Sequence, residues 1–177
     1  MTVRAVLKMG HPLLRQVAAP VAAFDAAQLH ELLTDMEDTM RALNGAGIAA
    51  PQIGVGLRVV IFEMQENPRY PQVAPIPFTV LINPVLEPLG TEREEGWEGC
   101  LSVPGLRGVV PRYRHLRYRG LDRDGQPFER TVEGFHARVV QHEVDHLDGV
   151  LFPQRVEDMT RFGFEDALVG QMVPTPD

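Results

Sequence analysis

The spacing of apolar and polar residues predicts two helices, one early in the chain and one late. From residue 29 to residue 43, leucines and methionines recur at intervals of three and four, as on one face of a helix. Asp25 and Gln28 resemble a capping box at its start, and Asn44-Gly45 is typical of a helix end. We expect this first helix to pack on the core.

Short runs rich in apolar and β-branched residues predict strands. They lie at residues 57–64, 78–82, 109–121 and 128–132. Asn83-Pro84 is expected to end the second of these strands, and the prolines of residues 66–77 predict a surface loop. The acidic cluster at residues 92–95 predicts a solvated turn, and residues 122–125 predict a hairpin turn.

The late helix has two apolar sides. Around a helical wheel, one side carries Phe135, Val139, His142 and His146, and the other carries Val140, Val144, Leu147 and Leu151. A narrow polar stripe lies between them: Arg138, Gln141, Asp145 and Asp148. A helix with two apolar sides packs between other layers, and strands without regular βαβ alternation favour antiparallel pairing. We therefore predict an α+β fold in which antiparallel β-sheets wrap around a central buried helix.

The segment Gln141–Gly149 of this helix carries candidate chemistry. His142 and His146 are four residues apart, so both rings lie on one face of a helix and can bind one divalent metal. Glu143 is beside the first histidine, within reach of the proton of a metal-bound water. The pair of imidazoles needs a third protein ligand to form an open catalytic site.

Two candidates for the third ligand remain open from the residues alone. Phe152 occupies the position of the last histidine of the metzincin motif, which excludes that arrangement. Glu165 follows His146 at a distance compatible with thermolysin-like metallopeptidases. Cys100 offers a thiolate, and a thiolate with two imidazoles suits a borderline metal. A lone cysteine is usually a buried apolar residue, but Cys100 lies among Glu, Gly, Ser and Pro.

Three segments together resemble the signature motifs of peptide deformylases. They are Gly45–Gly54, Glu98–Gly105 and Gln141–Gly149, in this order. The start of the chain, His11–Arg15 through Pro20-Val21, is similar to the start of that family. The likeness thus covers nearly the whole chain, and it implies that Cys100 is the third ligand.

The resemblance also implies roles for the other site residues. Cys100, His142 and His146 would bind the metal, natively ferrous iron and often replaced by zinc, nickel or cobalt. Gln52 and the backbone N–H of Leu101 would hold the formyl oxygen, and Ala46, Gly47 and Gly99 would pair with the substrate backbone. We expect Phe135 and Val139 to line the methionine pocket and Trp97 to lie at its mouth. Arg138 departs from the otherwise apolar segment of the family.

The implied reaction is hydrolysis of the N-terminal formyl group from N-formylmethionyl nascent peptides, releasing formate. Glu143 would serve as general acid and base. Contact with the ribosome is implied too, but the C-terminal segment has only Arg155 and Arg161 as basic residues, which does not favour a basic docking helix there. We also expect Asp145 to pair with Arg112 or Arg107 behind the metal ligands.

A metal-stapled structural domain is the non-enzymatic alternative. Such a site needs a fourth protein ligand, and the remaining histidines lack ligand-like spacing: His11, His30, His115 and His136. The pattern of candidate ligands in this sequence is therefore better explained by an open metal site.

Composition limits the remaining choices. A net charge of −7 over 177 residues argues against general nucleic-acid binding. Neither an apolar run of membrane-spanning length nor a secretory signal is recognisable. A single cysteine fits a reducing cytoplasm. We expect one domain over residues 1–177, with a loose tail from about residue 170.

Overall fold

The computed structural model describes residues 2–22, 26–65, 74–168 and 170. The described residues form two α-helices, α1 (Ala26–Ala42) and α2 (Gly134–Leu147), besides four short 3-10 helices. The strands are β1 (Gly47–Ala49), β2 (Val59–Met64), β3 (Ile76–Pro88), β4 (Arg93–Cys100), β5 (Val103–Tyr113), β6 (His115–Leu121), β7 (Pro127–Glu133) and β8 (Phe162–Phe164). The predicted cap at Asp25, residues 66–73 of the predicted loop and residues 171–177 of the predicted tail lie outside the described residues.

Two antiparallel sheets enclose α2. The larger sheet has the strand order β1-β2-β3-β6-β7, and the smaller sheet has the order β4-β5-β8. Every ladder between neighbouring strands is antiparallel. The predicted α+β class with antiparallel sheets around a central helix is confirmed. Within the described residues, no helix is both long and apolar enough to cross a bilayer.

Side chains alternate between the two faces of the larger sheet. Both faces of β2 are apolar, and a helix packs on each of them. On one face, Val59 and Ile61 of β2 pack in a cluster that includes Met36 and Met40 of α1. On the other face, Val60 and Phe62 pack in a cluster with residues of α2: Ala137, Val139, Val140, Val144 and Leu147. The continuous apolar run of β2 therefore packs against two helices, one on each face of the sheet.

Asn83-Pro84 does not end β3, contrary to the prediction. The strand continues to Pro88, and its register against β6 shifts between Ile82 and Val85. Asn83 adopts a positive φ of 51°, and its side-chain amide exchanges two hydrogen bonds with the backbone of Val21, at 2.9 and 3.0 Å. The irregularity in the ladder therefore coincides with a contact outside it, in which the Asn83 side chain binds the backbone of Val21.

One predicted turn and the bounds of one predicted strand were also wrong. Glu94 and Glu95 belong to β4, where they are exposed, and do not form a turn. Residues 109–121 form parts of two strands separated at Arg114. The hairpin turn after β6 is confirmed, since Asp122 Oδ1 accepts the N–H of Asp124 and of Gln126. These errors concern boundaries, where local propensity is weakest.

The polar stripe of α2 faces the smaller sheet. Arg138, Gln141 and Asp145 are buried, and their side chains are hydrogen-bonded to β4, β5 or the segment after α2. Burial of such groups is tolerated only when they are paired. The helix is therefore enclosed on all sides, with a different kind of packing against each sheet.

Candidate metal centre

The end of β4 lies near the C-terminal half of α2, where three candidate ligands converge. The ligand atoms of Cys100, His142 and His146 all lie within 4.8 Å of one another. Cys100 Sγ is 3.3 Å from His146 Nε2. The two imidazole rings meet edge to face at 5.2 Å between centroids. One cation at the centre of this group would be in reach of one sulfur and two nitrogens.

Glu98, two residues before Cys100, orients the first histidine. Its Oε2 lies 2.8 Å from His142 Nδ1, so a proton on Nδ1 leaves Nε2 free to bind a metal. The ring of Phe152 stacks against the same imidazole at 6.2 Å. Phe152, which excludes a third histidine ligand, thus fixes the plane of His142.

The charge of Glu98 is maintained by its neighbours. Burial raises the pKa of Glu98, but hydrogen bonds from Arg112 and His142 outweigh burial and hold that pKa well below its usual range. Arg112 donates to both carboxylate oxygens at 2.9 Å. Glu98 is therefore an acceptor at neutral pH, as the orientation of His142 requires.

The donor set fits a divalent metal of intermediate softness. One thiolate with two imidazoles is a ligand set of open, catalytic sites. The group contains three members among the described residues, and Glu165 is not one of them. Glu165 is half exposed and its carboxylate lies 3.4 Å from Arg107. The geometry favours Cys100 over Glu165 and supplies no fourth protein ligand in the described part of the chain.

Glu143 lies beside this group and is enclosed by β1. A Cβ atom added to Gly47 would be 2.7 Å from Glu143 Cγ, so only glycine leaves room for this carboxylate. Burial raises the pKa of Glu143 to about 7. Among the described residues, Glu143 Oε2 and His146 Nδ1 are buried atoms without a hydrogen-bond partner. A carboxyl group poised near neutrality is suited to giving and taking protons.

The side-chain amide nitrogen of Gln52 points toward the sulfur of Cys100. Its Oε1 accepts the N–H of Ala49 at 2.8 Å, which fixes the orientation of the amide. Its Nε2 then lies 3.1 Å from Ser102 Oγ and 3.5 Å from Cys100 Sγ. The N-terminal segment braces the backbone of Gln52 and of Ser102, since Leu7 N–H donates to Gln52 O and Met9 N–H to Ser102 O.

The predicted substrate contacts lie around these groups. Ala46 and Gly47 belong to the edge of the larger sheet, whereas Trp97 and Gly99 belong to β4, an edge of the smaller sheet. Arg107 lies against Gly99. Leu101 follows Cys100, and its side chain is near Gly45. Val139 is buried in the cluster on α2, and Phe135 packs against that cluster.

The expected pair behind the ligands is formed by Arg112, whose Nη1 lies 2.6 Å from Asp145 Oδ2. Arg107 pairs instead with Glu165. Glu98, Ser102 and Arg138 were not predicted as site residues from the sequence. The available signal for Glu98 was alternation along β4, because residues two apart on a strand share a face and Glu98 lies two positions before Cys100.

A family profile agrees with this arrangement. The profile of polypeptide deformylases matches residues 3–162. The chain belongs to the peptide deformylase family. A peptide deformylase of Nitrosomonas europaea is 60% identical over 166 residues, which is 94% of either chain. One from Bordetella pertussis is 57% identical over 175 residues, which is 99% of either chain.

Solved deformylases have the same fold. A crystal structure of a class I type b peptide deformylase from Acinetobacter baumannii with Met-Ala-Ser bound superposes with a TM-score of 0.84 at 42% identity. The match covers 88% of this chain and 99% of that chain. A deformylase of Thermotoga maritima superposes with a TM-score of 0.78 at 32% identity, covering 89% of this chain and 100% of that chain. The chain is thus an enzyme of the deformylase family, and this membership supports removal of the N-formyl group from peptides.

Proposed function

We propose that the chain hydrolyses the formyl group of N-formylmethionyl nascent peptides at a divalent metal bound by Cys100, His142 and His146. The observation that carries the proposal is the convergence of these three side chains, within 4.8 Å, beside a buried carboxyl group. We further propose ferrous iron as the metal in the cell, with zinc, nickel or cobalt as replacements. A bound divalent metal supplies polarisation of the attacking water, whose pKa falls toward about 7.

Glu143 is the proton carrier of this mechanism. As a carboxylate it takes the proton of the water that attacks the formyl carbon, and as a carboxylic acid it protonates the leaving amine. The pKa of about 7, raised by burial, allows both protonation states at neutral pH. Glu98 keeps His142 oriented throughout, because it accepts the Nδ1 proton.

Gln52 Nε2 and the backbone N–H of Leu101 are the proposed donors to the formyl oxygen. The fixed amide of Gln52 costs no reorganisation when negative charge develops there. Losing one such donor raises a barrier by about 3 kcal/mol in comparable sites. A formyl group is the smallest acyl group, so a site enclosed by these donors excludes acetyl by its size.

The peptide would bind as an added strand between two sheet edges. Both β1 and β4 are outer strands of their sheets. Ala46 precedes β1, and Gly99 lies at the end of β4. Main-chain hydrogen bonds to Ala46, Gly47 and Gly99 would then give affinity for any sequence. Phe135, Val139 and the ring of His142 would line the pocket for methionine, with Trp97 at its mouth.

Contact with the ribosome and a cytoplasmic location stay predictions from the resemblance and the lone cysteine. The two arginines of the C-terminal segment are both engaged in ion pairs. Arg155 pairs with Asp145 and Arg161 with Glu95, at 2.7 and 2.6 Å. Docking through this segment would have to break those pairs.

Formate release from formyl-Met-Ala-Ser tests the proposal. We expect turnover of this peptide, none of acetyl-Met-Ala-Ser, and none of a peptide with only internal amide bonds. Glu165→Gln is a matched control and should retain full activity, because its carboxylate pairs with Arg107 and is not one of the three converging ligands. Cleavage of the internal bonds would indicate a thermolysin-like peptidase, and no cleavage by the metal-loaded protein would favour a structural site.

A further inference from the structure

Arg138 is a buried cation on α2 that the proposed mechanism does not use. It lies one helical turn before His142, and 6% of its surface is exposed. Its Nη1 donates to Val110 O at 2.7 Å and to Glu98 Oε1 at 3.0 Å. Its Nη2 donates to Glu94 O at 2.6 Å. One guanidinium thus ties α2 to both β4 and β5, the strands that lead to and from Cys100.

Strand β4 is shaped around this guanidinium. A Cβ atom added to Gly96 would be 2.8 Å from Arg138 Cζ, closer than real Cβ contacts. The carbonyl of Gly96 is also 3.4 Å from Arg138 Nη1. Glycine at position 96 therefore allows the close approach of strand and arginine. The close contact of Gly96 with Arg138 joins β4 to α2, the two elements that carry the metal ligands.

Arg138 also completes the hydrogen bonding of Glu98. A carboxylate offers about four acceptor positions. Oε1 accepts from Arg112 Nε at 2.9 Å and from Arg138 Nη1 at 3.0 Å. Oε2 accepts from Arg112 Nη2 at 2.9 Å and lies 2.8 Å from His142 Nδ1. With Oε1 held by two arginines, the carboxylate plane is fixed and Oε2 stays directed at His142.

We propose that Arg138 is a positioning residue of the metal centre, acting on His142 through Glu98 and on Cys100 through β4. This inference rests on the proposed metal-binding function. Residues that orient metal ligands change metal affinity by about 10–100-fold when they are removed. A purely structural arginine would lower stability and leave the affinity and geometry of the metal unchanged.

Cobalt(II) binding distinguishes these two roles, because its visible spectrum reports ligand geometry and sulfur coordination. Arg138→Met removes the guanidinium at similar length. Arg138→Lys keeps the charge, but a single ammonium cannot reach Glu98 and both strands together. Val140→Ala is the matched control for stability, since Val140 belongs to the apolar side of the same helix. Arg161→Met controls for losing an exposed arginine that pairs with β4.

We expect Arg138→Met to bind cobalt(II) about 10–100-fold more weakly in competition with a chelator, with a shifted spectrum. Arg138→Lys should be weaker than wild type by a smaller factor. Val140→Ala should have a lower urea midpoint with wild-type affinity and spectrum, and Arg161→Met should match wild type in all three measurements.

Wild-type affinity and spectrum in Arg138→Met would overturn the inference, as would an equal loss of affinity in Val140→Ala. If Arg138→Met does not fold, the lysine variant decides, and wild-type cobalt binding in it would overturn the inference. Failure of the proposed function has a different signature, because wild-type protein would then bind no cobalt(II) through Cys100.

Discussion

The two sides of α2 solve the same packing problem in different ways. Toward the larger sheet, the helix presents alanine, valine and leucine side chains to an apolar layer. Toward the smaller sheet, it presents Arg138, Gln141, His142 and Asp145, each hydrogen-bonded across the interface. Apolar packing has little directionality, whereas hydrogen bonds weaken steeply with distance and angle. The polar side therefore sets the orientation of the helix and its ligands.

Arg112 is the centre of the polar side. It binds Glu98 with two nitrogens and Asp145 with a third, and Arg155 holds the same aspartate. Buried ion pairs add little stability over apolar packing, but breaking one leaves an uncompensated charge. We conclude that the apolar side supplies stability and the polar side supplies geometry. The predictions below change first the proton carrier of the site, then the polar side and then the apolar side.

The largest effect is expected at Glu143, beside the metal ligands. Glu143→Gln keeps the shape of the side chain but cannot carry the proton, so kcat should fall by about 10²–10⁴-fold. Metal content, measured by elemental analysis, should be unchanged. Formate release at the wild-type rate by this variant would remove the general acid and base from the account.

Breaking the polar side should cost both stability and metal affinity. Arg112→Met leaves Glu98 and Asp145 buried without their main cation, which should lower the free energy of unfolding by about 3–5 kcal/mol. Urea denaturation and chelator competition measure the two losses. Arg114→Met is the matched control, since Arg114 pairs with Glu92 on the exposed surface, where the loss of an ion pair should leave stability nearly unchanged. Equal effects of the two variants would contradict the assignment.

Breaking the apolar side should cost stability alone. Leu116 of β6 is 1% exposed and faces α2. Leu116→Ala should lower the free energy of unfolding by about 2–5 kcal/mol, through lost burial and a cavity. The metal affinity and kcat/KM per folded molecule should stay at wild-type values. If Leu116→Ala lost more metal affinity than Arg112→Met, the apolar side and not the polar side would set the geometry of the ligands.

The smallest effect is a pH dependence on the apolar side. Burial, followed by the charge of Arg130, lowers the pKa of His136 from 6.5 to about 4. Between these values the unfolded chain binds the proton and the folded chain does not, so stability is present above pH 6.5 and is lost as the pH falls toward 4. The pKa of Glu98 is held below its usual range, so its contribution is lost only at lower pH.

Urea denaturation at pH 7 and pH 5 measures this difference. Wild type should lose more stability between the two pH values than His136→Phe, which has no group to protonate at that position. Equal losses in the two proteins would show that His136 is not held neutral by its surroundings.

The sequence predicted the centre of the site better than its surroundings. The spacing of His142 and His146 is a property of one helix, so it was readable without tertiary structure. Cys100 became the favoured ligand only through the resemblance, and the fold then brought its sulfur to the histidines. The role of Gly47 as space for Glu143 depends on a contact between distant segments. Residue spacing carries no information about such contacts.

The polar stripe of α2 shows the limit most clearly. Its residues were expected as a stripe between two apolar sides. Three of them, Arg138, Gln141 and Asp145, have partners on β4 and β5 that lie 28 to 44 positions earlier in the chain. Asn83 failed as a predicted strand end for a similar reason, because its side chain binds the backbone of Val21. In both places, long-range partners override the local preference.

Anomalous diffraction from crystals of the iron(II)-loaded protein tests the central claim most directly. We predict one peak at the iron edge, within bonding distance of Cys100 Sγ and of one ring nitrogen each of His142 and His146, with a fourth ligand that is not protein. A peak away from Cys100, or four protein ligands around the metal, would contradict the account.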